Sequence, residues 1–294
     1  MVRERTFGSR LFDALLLAVL LGIALVCVLP IWYTLALSLS DKAAAAAGDV
    51  SLWPIGFTMQ SYDTIMTDSR FLNSFGISLL RVALGASINF VVVVLMAYPL
   101  SKTTKDFRAR NVFMWLLVFC MLFNGGLIPW YMTVKAYGLM NSIWALVFAG
   151  GVQAFHVILV VNFFRNLPKE LEEAALVDGA GPWYMLLKLF VPLAVPVLAT
   201  ITLFSIVYHW NEFFNGLVLM SSAERYPLQT YIQQLVVVID TTTMTEDEYK
   251  KLSELSNQTL NAAKIFIAMI PVLVIYPFLQ RFFIHGITLG SVKE

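Results

Sequence analysis

The chain has 294 residues, 59% hydrophobic and 13% charged, with a net charge of +1 and a mean hydropathy of +0.75. An ordinary soluble domain carries about 25% charged residues, so this composition excludes one and selects a membrane protein, while the balanced charge leaves no electrostatic footprint for nucleic acid. Cys27 and Cys120, both inside apolar runs, are too few and too far apart for a disulfide framework or a zinc site, and read as small buried hydrophobes.

A helix needs about 20 apolar residues to cross a bilayer. In chain order, charge-free runs occupy 14–40, 82–101, 111–134, 136–164, 189–211 (continuing past Glu212 to about 220) and roughly 262–283, with Lys264 at one end. This predicts an all-α polytopic membrane protein with six transmembrane helices, read as a single transmembrane domain over 1–294. The start, "VRERTFGSR" before an apolar run, resembles a signal peptide, and "AAAAAG" after Lys42 resembles a cleavage site. The run is longer than the 7–15 apolar residues of a signal core, so it reads as an uncleaved first span.

Lys and Arg in the connections set the orientation. With the N-terminus inside, twelve basic residues lie on the cytoplasmic side, among them Lys102, Lys105, Arg108 and Arg110 of "SKTTKDFRAR", against six outside. Both termini are then cytoplasmic, as is the connection at about 165–190, "ELEEAALVDGAGPWYMLLKLFVP". Its grammar is helix, turn, helix. Pro168 suits a first helical position, and Glu170, Glu172 and Glu173 suit the positive end of the helix dipole. Gly179 suits a C-terminal stop, and Pro182 a second start. Two punctuated helices in one loop suggest a rigid surface made for a partner, where the alternative is a solvated amphipathic connection.

Within the fifth span, "LFSIVYHWNEFFNGLVLM" holds His209, Asn211, Glu212 and Asn215. At 100° per residue, His209, Glu212 and Asn215 share a helix face. A polar stripe is expensive in lipid, so these four are candidates for a translocation path; the alternative is that they bond neighbouring helices. The outer connection, about 221–261, carries six acidic residues. Thr245 and Glu248 there form a possible capping box, so "EDEYKKLSELS" reads as a short helix. No phosphate-binding loop, H-E-x-x-H or G-x-S-x-G occurs, and His156, His209 and His285 lack ligand spacing, so no catalytic or metal site is expected.

The cytoplasmic stretch "EAALVDGAGPWYMLLKLFVP" resembles the signature loop of ABC importer permeases: Glu173, Ala174, Ala175, Gly179 and Pro192 stand at the matching spacings. Leu189 and Val191 depart conservatively from that pattern. The tail "LQRFFIHGITLGSVKE" and the "WNEFF" of 210–214 resemble the six-span subunit of maltose-type sugar importers, and "NGGLIPWY" at 124–131 resembles an oligosaccharide branch that includes the alginate importer. The resemblance covers essentially the whole chain. It implies the type I ABC importer permease fold in a bacterial cytoplasmic (inner) membrane. It further implies a second related permease, two ATPase subunits that bind ATP and Mg while this chain binds no cofactor, and an extracytoplasmic sugar-binding protein. Glu173, Ala174, Ala175, Asp178, Gly179 and Pro192 would couple to an ATPase subunit, and Gly290, Ser291 and Lys293 would touch it through the tail. The rival functions are an ion-coupled secondary transporter using Glu212 and Arg81, and a non-transporting membrane scaffold.

Overall fold

The structure, a computed structural model, describes residues 7–236 and 258–291, with side chains for 7–235 and 258–278. No strand occurs among the described residues. The proposed capping box at Thr245 and the tail residue Lys293 lie outside them.

Among the described residues, three helices are long and apolar enough to cross a membrane: α1 (Phe7–Ser38), α4 (Ser69–Ser101) and the last helix α14 (Gln258–Ser291) through Phe278. Short helices α2 (Lys42–Ala47) and α3 (Gln60–Thr67) lie between α1 and α4. The other three spans are broken. α5 (Arg110–Leu122) and α6 (Leu127–Ala136) meet at 117°; α7 (Ile143–Ala149) and α8 (Ala154–Arg165) at 53°; α10 (Pro182–Leu193) and α11 (Val195–Asn211) at 80°. Counting each pair as one gives the six expected spans. Between them stand α9 (Lys169–Val177), then α12 (Phe214–Leu219) and α13 (Leu228–Val236).

Two of these breaks have a local cause. At 124–126 the Asn124 side chain accepts the Gly126 N–H at 2.9 Å, and Gly126 takes a φ of 86°. Within α10 the stretch Met185–Phe190 is a π-helical turn. Pro192 stands two residues further on and has no N–H to donate back, so one α-register bond is missing there. The fifth span ends at Asn211 and restarts at Phe214, which replaces the continuous helix through 220 expected from hydropathy.

The structure divides into two compact units. In the first, residues 1–69 with 235–269, Ser38 and Tyr62 share a hydrogen bond of 2.7 Å, Trp32 donates to the Leu52 carbonyl at 2.7 Å, and Lys264 pairs with Asp68 at 2.6 Å. The second unit, 70–234 with 270–294, holds the main packed core. Val93 and Ala97 of α4 meet Val157, Val160 and Val161 of α8 and Ala194, Leu198 and Ile201 of α10 and α11. Lipid tails are as apolar as these side chains, so close van der Waals fit, favoured by small residues, holds such helices together. A second cluster joins Val134 of α6, Ala145 and Leu146 of α7, and Leu219 of α12.

Cys27 and Cys120 are exposed, not buried. A helix facing lipid is apolar on its outside too, so an apolar neighbourhood in sequence does not imply an interior position.

Candidate functional site

The 165–190 segment builds up from its caps. Pro168 precedes α9 rather than opening it, at the cap position with φ −57° and ψ 128°, and Glu170 and Glu172 fall in the first turn. At the far end Gly179 has φ 77°. Its N–H reaches the Leu176 carbonyl at 3.0 Å, and the Ala180 N–H reaches the Ala175 carbonyl at 2.9 Å. These are the paired bonds of a Schellman stop, which needs a left-handed residue where only glycine is unstrained. Pro182 opens α10 two residues later.

The surface this creates is mixed. Glu173, Ala174, Asp178 and Pro192 are exposed, while Ala175 turns inward onto the core. Val177 is 87% exposed, with Trp183 and Tyr184 also open, so the turn presents an apolar knob. On the other side of α9 lies a cleft of about 720 Å³ lined by Lys102, Arg110, Arg165, Glu172 and Phe190 among others. Lys102 organises it: Nζ lies 2.5 Å from the Glu172 carboxylate and sits over the rings of Tyr98 and Phe190 at 4.4 and 4.6 Å. Arg110 and Arg165 both donate to the Leu100 carbonyl at 3.0 Å, near the negative end of the α4 dipole.

At the break in the fifth span the four candidate path residues divide. His209 and Asn215 are buried, Glu212 is partly buried, and Asn211 is exposed beside exposed Phe213 and Phe214. Glu212 is held by Arg81 of α4. One Arg81 nitrogen donates to the Glu212 backbone carbonyl at 2.7 Å and another to its carboxylate at 2.5 Å, while the other carboxylate oxygen accepts the Asn215 N–H at 2.8 Å. The Thr230 hydroxyl satisfies the Phe213 carbonyl at 2.7 Å. His209 is fixed by shape: neither ring nitrogen has a partner, and the ring lies where a Cβ on Gly85 would stand. Tyr208 occupies the matching space at Gly150, and Trp210 meets Phe75 edge-on at 5.7 Å. Among the described residues no group of acids, His and Cys could hold a metal ion.

A family model described as "Binding-protein-dependent transport system inner membrane component" matches residues 82–289, which hold both the 165–190 segment and this break. The chain belongs to that family. It is 35% identical over 290 residues to Protein LplC of Bacillus subtilis (strain 168), covering 99% of this chain and 97% of the relative. It is 36% identical to the polygalacturonan/rhamnogalacturonan transport system permease protein YtcP of the same organism, covering 97% and 99%. Among solved structures it resembles a chain of a bacterial ABC transporter involved in the import of the acidic polysaccharide alginate, with 33% identity, a TM-score of 0.83, and coverage of 95% and 98%. The protein is therefore an inner-membrane permease of a binding-protein-dependent ABC importer with the type I permease fold.

Sequence reasoning paired Arg81 with Glu212 but missed Lys102 and the rest of the inward face of α4. Lys102 served only to set orientation, because nothing in the sequence brings it beside Glu172. The inward face of α4 was readable: Ser74, Ser78, Arg81, Gly85 and Asn89 follow at steps of three and four, the spacing of one helix face. Each of the last four has a defined partner. Ser78 accepts the Leu228 N–H at 2.7 Å, Arg81 holds Glu212, Gly85 admits His209, and Asn89 bonds His156 at 3.1 Å.

Proposed function

We propose that this chain imports an acidic oligosaccharide, one bearing uronate-type carboxylates, across a bacterial cytoplasmic membrane, as one of two related permease subunits. The observation that carries this reading is the 33% identity, over 95% of the chain, to a permease of an alginate importer. The relative at 36% identity serves polygalacturonan and rhamnogalacturonan, which are also acidic polymers.

In this reading both termini and the 165–190 segment face the cytoplasm. ATP and Mg bind two separate ATPase subunits, and one of these receives Glu173, Ala174, Ala175, Asp178 and Gly179. The apolar knob at Val177 and Trp183 enters a groove on that subunit, and the rim acids orient it. Closure of the ATPase pair then moves α9 and, through Pro192 and the π-turn of α10, the fifth span. Gly290, Ser291 and Lys293 make the second contact with the ATPase. Asn211, with Phe213 and Phe214, faces the sugar path, since an exposed amide between aromatic faces suits a hydroxyl-rich ring with apolar C–H surfaces. His209, Glu212 and Asn215 shape that path from behind.

The test is ATP hydrolysis by the assembled complex in nanodiscs with its binding protein. Trigalacturonate or alginate trimer should stimulate hydrolysis, and maltotriose should not. Stimulation by maltotriose alone would remove the acidic assignment and leave the permease assignment standing.

A further inference from the structure

The break in the fifth span strands backbone groups inside a membrane protein. α11 makes its last bond from the Glu212 N–H to the Tyr208 carbonyl at 3.0 Å. Beyond it, the carbonyl of Glu212 and the N–H of Asn215 lack the partners a continuous helix would give them, while the Phe213 carbonyl already takes the Leu217 N–H at 3.2 Å. Such groups cannot turn to lipid, so a broken span persists only where something else satisfies them. Here side chains do, and Arg81 supplies the largest share. It is fully buried. Its planar fork reaches the stranded Glu212 carbonyl and the Glu212 carboxylate together, and that carboxylate in turn takes the Asn215 N–H.

We infer that Arg81 is a positioning residue for transport: it holds the fifth span open at Glu212, and so sets where Asn211, Phe213 and Phe214 are presented. It acts through Glu212 and does not touch the cargo. A buried ion pair serving only to cancel charge would need one cation of either kind. This site needs two donors in fixed geometry, which arginine has and lysine lacks. The inference rests on the permease assignment and is independent of the sugar class.

Amide hydrogen exchange of the assembled complex in nanodiscs tests it without any sugar. In Arg81→Lys the charge stays and the fork is lost. Exchange at 212–219 should change by about tenfold or more, the scale of one lost charge-assisted hydrogen bond. Exchange at 90–100 in α4 should stay as in the wild type. In Arg81→Met/Glu212→Met the charges are gone and an apolar pair fills the space. Assembly should survive while 212–219 again departs from wild type. Native exchange at 212–219 in either variant would overturn the inference, because a point charge, or no charge, would then suffice. Failure of Arg81→Lys to assemble would also overturn it, since the fork would then be holding the whole subunit rather than the local break.

Discussion

Lys102 at the end of α4 holds Glu172 of α9 at 2.5 Å while lying over the rings of Tyr98 and Phe190. One cation thus joins three elements: α4, α9 and the π-turn of α10. The pair is partly open to solvent, so its ionic part contributes about 0.5 kcal/mol and the ring contacts about 0.5–1 kcal/mol more. Lys102→Ala should leave insertion unchanged and weaken ATPase docking several-fold, measured by co-purification at graded salt. The exchange Lys102→Glu/Glu172→Lys should recover only part of the loss, because the cation leaves the two rings.

Gly179 stands at φ 77° with open space around a would-be Cβ. Substitution therefore meets backbone strain inside this chain and bulk only against a partner. Asparagine tolerates the left-handed region, so Gly179→Asn should stay near wild type in ATP-driven uptake. Gly179→Ala should lose about 1 kcal/mol of local stability. Gly179→Trp should insert normally and lose transport. Equal activity of the three variants would take Gly179 out of the joint.

A Cβ at Gly85 would fall on the His209 ring. Gly85→Ala should cost about 1–3 kcal/mol by overpacking, seen as a lower unfolding temperature of the complex. Adding His209→Ala should restore most of it, since the ring makes no hydrogen bond that would be lost. No restoration would mean that the clash is not the cause.

In the connection after α4, the Thr103 hydroxyl donates to Asp106 at 2.7 Å and holds its carboxyl below the ordinary value of 3.8. The folded value is depressed, so this stabilisation is fully present above 3.8 and is lost as pH falls through the lower folded value. Amide exchange at 102–107, corrected for intrinsic rates, should be steady from neutral pH down to that point and rise below it. In Thr103→Val the rise should begin at higher pH.

Sequence patterns carried the six spans, the Schellman stop at Gly179 and the start at Pro182, because hydropathy and capping are local properties. They did not carry the breaks. A hydropathy run records how apolar a segment is and not where it turns, so Asn124-Gly125-Gly126, Gly150-Gly151 and Pro192 were not read as breaks inside counted spans. The Glu212 break has neither glycine nor proline; it exists because Arg81 lies opposite, 131 positions away in sequence. α4 begins at Ser69 rather than at 82 for a related reason. Its first turns carry Ser74, Ser78 and Arg81, which read as non-apolar yet are buried.

At the break, Asn211→Ala should reduce uptake about tenfold, the scale of one hydrogen bond to the cargo with its desolvation, while assembly and basal ATP hydrolysis stay normal. Glu212→Gln leaves one acceptor oxygen and turns an NH2 donor towards either Arg81 or the Asn215 N–H, both of which donate to the native carboxylate, so it should lower uptake by disturbing the break itself. A complex that fails to assemble in Asn211→Ala would place that residue in the fold instead of the path.

The most direct measurement is uptake into proteoliposomes holding the assembled complex, with binding protein and labelled trigalacturonate outside and ATP within. Accumulation should require ATP and binding protein together, ignore an imposed proton or sodium gradient, and vanish in Gly179→Trp. Accumulation driven by an ion gradient without ATP would contradict the account.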